Sequence, residues 1–583
     1  MSFLHFAKNF FICLFILEKK NLSLKIQYFN FIINEINIIK YFYYKFFDKN
    51  LNPIKSKKFK EYLRKNKKFW KNENFQNDNK ILVENFINHP GYTLSNAICA
   101  NYLGKIYKKN TIALIREGDL KAEFIFKSFS INEIYKIKSP NFLFRLKSLY
   151  KAIKMLSSVK DINHFCKLKL NNIEIGLSTY DTFIRYTKIP TLNKVSFELI
   201  VLFSHAISSY FFLRNFLETD GKNIKISVQS ETVFNPLNIF FQICLQKKID
   251  VFARCGENEI SLRRYTNWSQ RHDYRYNISN KFFKFIEKKI SNDKYNKINL
   301  IYQKKKKNLK YGFDTKIPLV NYSKLKLINR DQILKSFNWH KNKKIIVFFM
   351  NVLIDRNFHN GPRLNFKDNY SWTKYILDKM SKIKNVNWII KKHPIQNLYN
   401  STFNFENEIK EICQNNKHIK VYPEKFSNSC LLDIADKIIT SHGTAGIEYP
   451  AHGVESLFVE KSLYSNMHFN KIIKSKKELV NKLKKLSYTN RLKINIKKKS
   501  LIFLYIQDFI IKVNCSLLPI YLISRKIDQE KFWKEASQRL NKKDYFNDNF
   551  FKMLQKQIKY KMRHTSNLET LRIKPAYLND FSD

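Results

Sequence analysis

The residue runs best suited to chemistry sit where hydrophobic segments end. The richest is Thr440-Ser441-His442-Gly443-Thr444-Ala445-Gly446-Ile447-Glu448-Tyr449, in which the apolar run KIIT breaks into small residues before a helical pattern. A strand that feeds a tight turn into a helix N-terminus offers backbone N–H groups and the positive end of a helix dipole, which suits a phosphate. Gly443 and Gly446 permit close backbone approach. Ser441 and Thr444 can donate hydroxyl hydrogen bonds, with His442 between them, and Glu448 can accept from two ribose hydroxyls. The same residues also fit a plain capped helix, with Thr444 as N-cap and Glu448 as a first-turn acid.

Two more run ends lie nearby in sequence. His393-Pro394 follows the hydrophobic run VNWIIKK, so the proline stops a strand and leaves an imidazole at its carboxyl edge. That imidazole can donate to a phosphate oxygen, with Lys391 or Lys392 adding charge. Asn351-Val352-Leu353-Ile354-Asp355 follows the run KKIIVFFM, and Asp355 can bind sugar hydroxyls, orient a substrate or act as a base. In the N-terminal half, His89 and Glu231 also follow apolar runs, and either can take a proton from an acceptor hydroxyl. Tyr180-Asp181 and Arg185 are further candidates, the arginine suited to an anionic group.

The elements that must position these groups follow from periodicity. Strands are expected at KILVEN, TIALI and residues 173–175, 224–228 and 250–253, with helices at 92–107, 197–217 and 235–245. A second alternating block from Lys343 carries KKIIVFFM, VNWIIKK, HIKVY, KIIT and SLFVE as strands, with helices between them. Strands alternating with crossover helices predict parallel sheets, whose ligands lie beyond the carboxyl ends of the strands. The expected organisation is a helical extension (1–78), a Rossmann-like unit (79–274), a Lys-rich linker (275–342), a second Rossmann-like unit (343–500), and C-terminal helices with a charged, partly disordered tail from Asp528 (501–583). Residues 501–523 read as one packed amphipathic helix.

At 583 residues the chain exceeds one hydrophobic core. Its formal charge is +58, from 106 Lys and Arg against 48 Asp and Glu. The excess is spread along the chain and is mostly Lys, with no zinc-finger spacing, aromatic RNA-binding motif or DNA-reading helix beside it, so no nucleic-acid partner is expected. Attraction to anionic lipid headgroups follows from the charge. The eight cysteines include no CxxC pair, which excludes a zinc ribbon and suits a reducing cytoplasm. The apolar run at residues 10–17 is too short to span a bilayer. A Walker P-loop, a GxGxxG after a strand, a GxSxG elbow and a DxD metal motif are all missing, which weighs against kinase, dehydrogenase and hydrolase chemistry.

The ordered runs VFFMNVLIDRNF, NYSWTKYILDKM, NVNWIIKKHPIQN and VYPEKFSNSCLLDIADKIITSHGTAGIEYPAHGVESLFVEKSLY together resemble the capsule-polysaccharide and surface-carbohydrate biosynthesis proteins. IEIGLSTYDTFIR looks like an N-domain segment of that group. The resemblance implies an α/β GT-B-like fold, two Rossmann-like halves facing a cleft, and a donor site in the C-terminal half. It matches the family's Asn and Asp at Asn351 and Asp355, its His-Pro at His393 and Pro394, and its small-residue loop at Gly443, Thr444 and Glu448. It departs at Ile354, where relatives carry Trp. The His-Pro pair with a Ser/Thr loop is also similar to the CMP-sugar sites of bacterial Kdo transferases and sialyltransferases. The activity this resemblance implies is sugar transfer from a nucleotide-sugar co-substrate to a glycan or lipid-linked acceptor. No metal or resident cofactor is expected, and the enzyme would be cytoplasmic or peripheral on the inner membrane. The donor loops and His393 would serve the leaving nucleotide, and Asp355, Glu231 or His89 the acceptor. CDP-polyol phosphate transfer of the teichoic-acid type and a non-catalytic basic assembly or nucleic-acid-binding protein are the rival expectations.

Overall fold

The computed structural model describes residues 56–70, 75–138, 140–255, 259–307, 325–358, 361–393, 405–467, 472–488, 492–519, 528–541 and 544–571. The expected extension is described only from Ser56 on, where Lys57–Phe69 is helical; the run at 10–17 and Pro394 lie outside the described residues.

The first sheet takes β1 (Lys80–Asn85), β2 (Thr111–Arg116), β3 (Ile134–Ile137), β4 (Ile224–Gln229), β5 (Asp250–Cys255) and β6 (Glu259–Tyr265). The second takes β7 (Ile345–Phe349), β8 (Asn387–Lys391), β9 (Ile419–Val421), β10 (Lys437–Thr440) and β11 (Glu455–Phe458), and a short β12 (Val513–Asn514) returns to the first. The spatial orders are β12-β6-β5-β4-β1-β2-β3 and β11-β10-β7-β8-β9. Strands β1 to β5 are mutually parallel, as are all five of the second sheet, while β6 runs antiparallel to β5 and β12 antiparallel to β6. Both orders reverse about the first strand of their unit, between β1 and β4 and between β7 and β10. These are the two doubly wound Rossmann-like halves of a GT-B-like fold, and such reversals are where ligands of open α/β sheets sit.

The strands are apolar on both sides because helices cover both faces. On β1, Ile81 and Val83 point into one core and Leu82 into the other. On β7, Ile345 and Val347 face one core, Ile346 and Phe348 the opposite one. This is the two-residue period of an extended strand.

Several expectations are corrected. Residues 173–175 form no strand. Left-handed Asn171 and Asn172 (φ 47° and 70°) turn the chain, Leu170 and Ile173 make an isolated bridge, and Ile175 starts the helix Ile175–Thr187. Three apolar residues are too few to tell a strand from the head of a buried helix. Residues 275–342 are not an unpatterned linker. Helices Asn280–Lys289, Asn292–Lys307 and Arg330–Phe337 bury Phe282, Phe283, Ile286, Ile298, Tyr302, Ile333 and Leu334 in a core shared with the second sheet. The abundance of Lys on their outer faces hid that stripe. Residues 501–523 are not one helix: the helix Ile494–Tyr505, which straddles the expected boundary at 500, passes through a π turn at Ile506–Ile510 into β12.

The described part of the charged tail, residues 528–541 and 544–571, is folded as well. Helices Gln529–Leu540 and Asn549–Lys559 pack on the first unit, where Trp533 meets Phe59 and Tyr62 with ring centroids 4.7 and 5.1 Å away. Trp533 is almost wholly buried. Trp533→Ala is expected to cost about 3–5 kcal/mol and to lower the urea midpoint; an unchanged midpoint would show the tail to be dispensable.

Candidate functional site

The loops after β7, β8 and β10 emerge side by side. Met350 N–H donates to the Lys391 carbonyl (3.0 Å), continuing the β7–β8 ladder one step past the strands. Asn351 follows, 9% exposed, and its Oδ1 accepts no hydrogen bond from the described residues. It lies against Gly443: a Cβ on that glycine would stand 3.9 Å from Asn351 Nδ2 and 2.9 Å from Thr440 Oγ1.

The Ser441–Thr444 loop is held from behind. Ser441 is fully buried, and its hydroxyl accepts from Arg363 Nη2 (3.0 Å) and bonds His442 Nδ1 (3.1 Å). Arg363 also donates to Asn369 Oδ1 and the Phe366 carbonyl and sits 3.7 Å from Glu460. Glu460 in turn accepts the backbone N–H groups of Leu364, Asn365 and Phe366. Ser441 thus anchors the loop. Gly443 donates its N–H to Thr440 Oγ1, and its carbonyl accepts from Tyr464 Oη (2.8 Å). That phenol would lie 1.8 Å from a Cβ at position 446, so only glycine fits there. Thr444 heads the helix Ala445–Ala451 with no side-chain capping bond, and Thr444 and Glu448 are both half-buried.

His393 closes this edge at the end of β8. Burial drives its imidazole down to about 4, Lys391 adding to the fall and the Asp355 carboxylate opposing it. The ring is therefore neutral at physiological pH and sits within the field of Asp355. The two lysines expected to assist it point elsewhere. Lys391 lies over the Tyr422 ring (5.6 Å), and Lys392 donates to Glu406 (2.8 Å).

Asp355 faces the first unit, 3.9 Å from Arg185 and 3.8 Å from Arg356. Arg356 donates to Tyr274 Oη (2.9 Å). Burial disfavours its charge, but Tyr274, Asp355 and Glu231 together hold it well above its ordinary value. Glu231 accepts from Arg275 (2.8 Å) and from Thr232 N–H, while Arg275 also donates to the Ser230 and Arg254 carbonyls. Arg254 stacks on Tyr92 (4.2 Å), and His89 meets the same ring edge-on (5.4 Å). Burial, then Arg254 and Lys121, push His89 down to about 4. Asp355 of the second unit thus lies beside Arg185 and Arg356, while Glu231 and His89 of the first unit lie by Arg275 and Arg254.

The switch point of the first sheet is filled by protein. Glu84, at the end of β1, accepts from Ser230 N–H (2.6 Å), Ser230 Oγ and Phe86 N–H (2.7 Å), and burial pushes its carboxyl up. Tyr180 and Asp181 are also structural. Asp181, 2% exposed, accepts Asn357 and Phe358 N–H from the second unit (2.7 and 3.2 Å), and Tyr180 donates to Asp368 (2.8 Å).

Sequence reasoning passed over Arg254, Tyr274, Arg275, Arg356 and Arg363. A signal existed: only 18 of the 106 cationic residues are Arg, and five of those lie between 254 and 275. In so Lys-biased a chain, arginine marks positions that need a planar, multidentate donor.

No protein-family model and no curated protein matches this chain. Among solved structures, the β-Kdo 2,4 transferase KpsC of Thermosulfurimonas dismutans is similar over 50% of this chain and 80% of its own, at 9% identity and TM-score 0.28. UDP-GlcNAc 2-epimerase of Neisseria meningitidis, bound to UDP-GlcNAc, aligns over 80% of this chain and 100% of its own, at 12% identity and TM-score 0.23. A Rickettsia africae glycosyltransferase aligns over 86% and 100%, at 11% identity and TM-score 0.23. Likeness this slight says nothing of activity.

Two outcomes follow from the geometry. Gly446→Ala collides with Tyr464 and is expected to destabilise by about 1–3 kcal/mol; Tyr464→Phe in the same chain should restore part of that, whereas no loss in the single variant would refute the contact. Burial, against the two backbone N–H bonds, pushes Asp181 up to about 7 from the ordinary 3.8. The folded protein thus keeps a proton that the unfolded chain releases, and stability contributed at low pH is lost as pH rises through about 7. Asp181→Asn should remove that loss, so its urea midpoint should gain on the wild type between pH 5 and pH 8; a constant difference would contradict this.

Proposed function

We propose that this chain is a GT-B-type glycosyltransferase of capsule or surface-polysaccharide biosynthesis. It would transfer a sugar from a nucleotide-sugar, with CMP-linked donors among the candidates, to a glycan or lipid-linked acceptor at the cytoplasmic face of the inner membrane. One observation carries the reading. At the β7/β10 switch point a buried acceptor, Asn351 Oδ1, has no donor among the described residues, and the Nδ2 of the same amide faces Gly443 of a rigidly held loop. Leaving such an atom unsatisfied costs about 1–3 kcal/mol, which a ligand donor offsets. The matching point of the first sheet is already occupied by Glu84 and Ser230, which favours the second unit for the donor.

In this reading the Thr444 backbone N–H and the neutral His393 imidazole donate to the donor phosphates, and Glu448 holds the ribose. The bond from the anomeric carbon to the nucleotide oxygen breaks while a bond to the acceptor oxygen forms. The departing phosphate charge is met by fixed N–H donors, so the step needs no metal. The acceptor proton passes to a base on the cleft wall. Asp355 is the candidate nearest the donor edge, ahead of Glu231, which Arg275 engages, and of His89.

The purified protein is to be assayed against CMP-, UDP- and GDP-sugars and CDP-glycerol. Turnover of one nucleotide-sugar is expected, with kcat/KM falling roughly 100-fold or more in His393→Ala while circular dichroism is unchanged. Turnover of CDP-glycerol alone would replace the reading with polyol-phosphate transfer. Inactivity on every donor, with salt-dependent nucleic-acid binding that survives His393→Ala and Thr444→Ala, would overturn it.

A further inference from the structure

We infer that the helix Phe142–Leu156 is a membrane-docking element whose outward face fits an anionic lipid bilayer. Leu143, Lys147, Tyr150 and Lys154 recur at helical spacing and share one face. All four are exposed, Leu143 by 69% and Tyr150 by 66%. The opposite face is committed to the protein: Ser148, Ala152 and Leu156 are buried, Phe144 meets the Phe211 ring edge-on, and Lys151 lies 4.8 Å over it. Residues 140–170 hold seven Lys and Arg against a single carboxylate, Asp161.

A second exposed stretch shares this character. Tyr186, Ile189 and Val195 are 61%, 41% and 37% exposed, interleaved with Lys188 and Lys194. The Phe142–Leu156 helix and the Ile175–Thr187 helix that leads into this stretch both pack on the long helix Phe197–Glu218. That long helix has the length and apolarity of a membrane span, yet it buries Leu199, Phe203, Ile207 and Tyr210 in the core of the first unit. It acts as a platform for the two exposed elements.

The alternation selects the partner. Tyr150 could stack on a base of single-stranded nucleic acid, but a polyanion would leave the exposed aliphatic Leu143, Ile189 and Val195 facing water. A bilayer accepts both kinds of side chain, the apolar ones entering the acyl boundary while lysine stems extend their charges to the headgroups. The docking helix begins beyond the carboxyl end of β3, and Thr191, in the second stretch, bonds Asp368 of the other unit. The inference concerns binding alone and holds whatever the cleft catalyses.

The test uses the full chain with phosphatidylcholine–phosphatidylglycerol vesicles, at salt that screens the chain's diffuse charge. Tyr150→Trp should shift its emission to the blue and be quenched by brominated acyl chains. Tyr488→Trp, at a site 75% exposed on the second unit, should do neither. Leu143→Ser/Tyr150→Ser should weaken co-sedimentation by at least about tenfold. Binding that survives this pair but vanishes in Lys147→Glu/Lys154→Glu identifies a polyanion site and overturns the inference. Emission from Tyr150→Trp that vesicles leave unchanged also overturns it, the face then being covered by the chain's own residues 1–55 or by a second copy.

Discussion

Two buried carboxylates cross between the Rossmann-like units in opposite directions. Asp181 leaves the first unit and accepts two consecutive backbone N–H groups, of Asn357 and Phe358, in the loop after β7. Asp368, in the second, caps the helix Asn369–Lys382 through Ser371 N–H and also accepts the hydroxyls of Tyr180 and Thr191 from the first. Each carboxylate would be costly to bury alone; Asp181 takes both of its backbone donors, and Asp368 two of its three, from the opposite unit. The register of the halves is thus tied to the loop that carries Asn351 and Asp355.

A second constraint fixes the loop after β10. Arg363 and Glu460 tie the segments after β7, β10 and β11 together behind Ser441, while Tyr464 occupies the space left by Gly446 and holds the Gly443 carbonyl. Ser441, which looks like a ligand group in sequence, here anchors the loop. The backbone so fixed, with Asn351 and His393 beside it, is the surface presented to the cleft. Preorganised donors of this kind act without reorganisation cost when charge develops.

The sequence carried the strands well where they are apolar on both faces, as in KILVEN and VNWIIKK, because burial on both sides leaves a continuous apolar run. It gave no sign of β6, whose adjacent Arg263 and Arg264 are accommodated in a strand because partners in other segments neutralise them: Asp273 binds the first and Asp250 the second. The helices of 275–342 and beyond Asp528 were masked by Lys on their outer faces. Within the candidate site, Asn351, Asp355, His393 and the Gly443–Thr444 turn are strand-end residues that pattern alone locates. Arg356, Tyr274 and Arg254 gain meaning only from contacts across the cleft, and Tyr180 and Asp181 looked chemical because a buried polar pair on a helix reads the same whether it binds a ligand or a second domain.

The central claim is that the β7/β10 switch point, and not the Glu84-filled point of the first sheet, receives a nucleotide. A crystal structure of the chain soaked separately with CMP and UDP tests this most directly. One of them is expected to bind with its phosphate between His393 and Thr444 and a donor satisfying Asn351 Oδ1. A nucleotide bound at the first sheet, or neither nucleotide bound at saturating concentration, would contradict it.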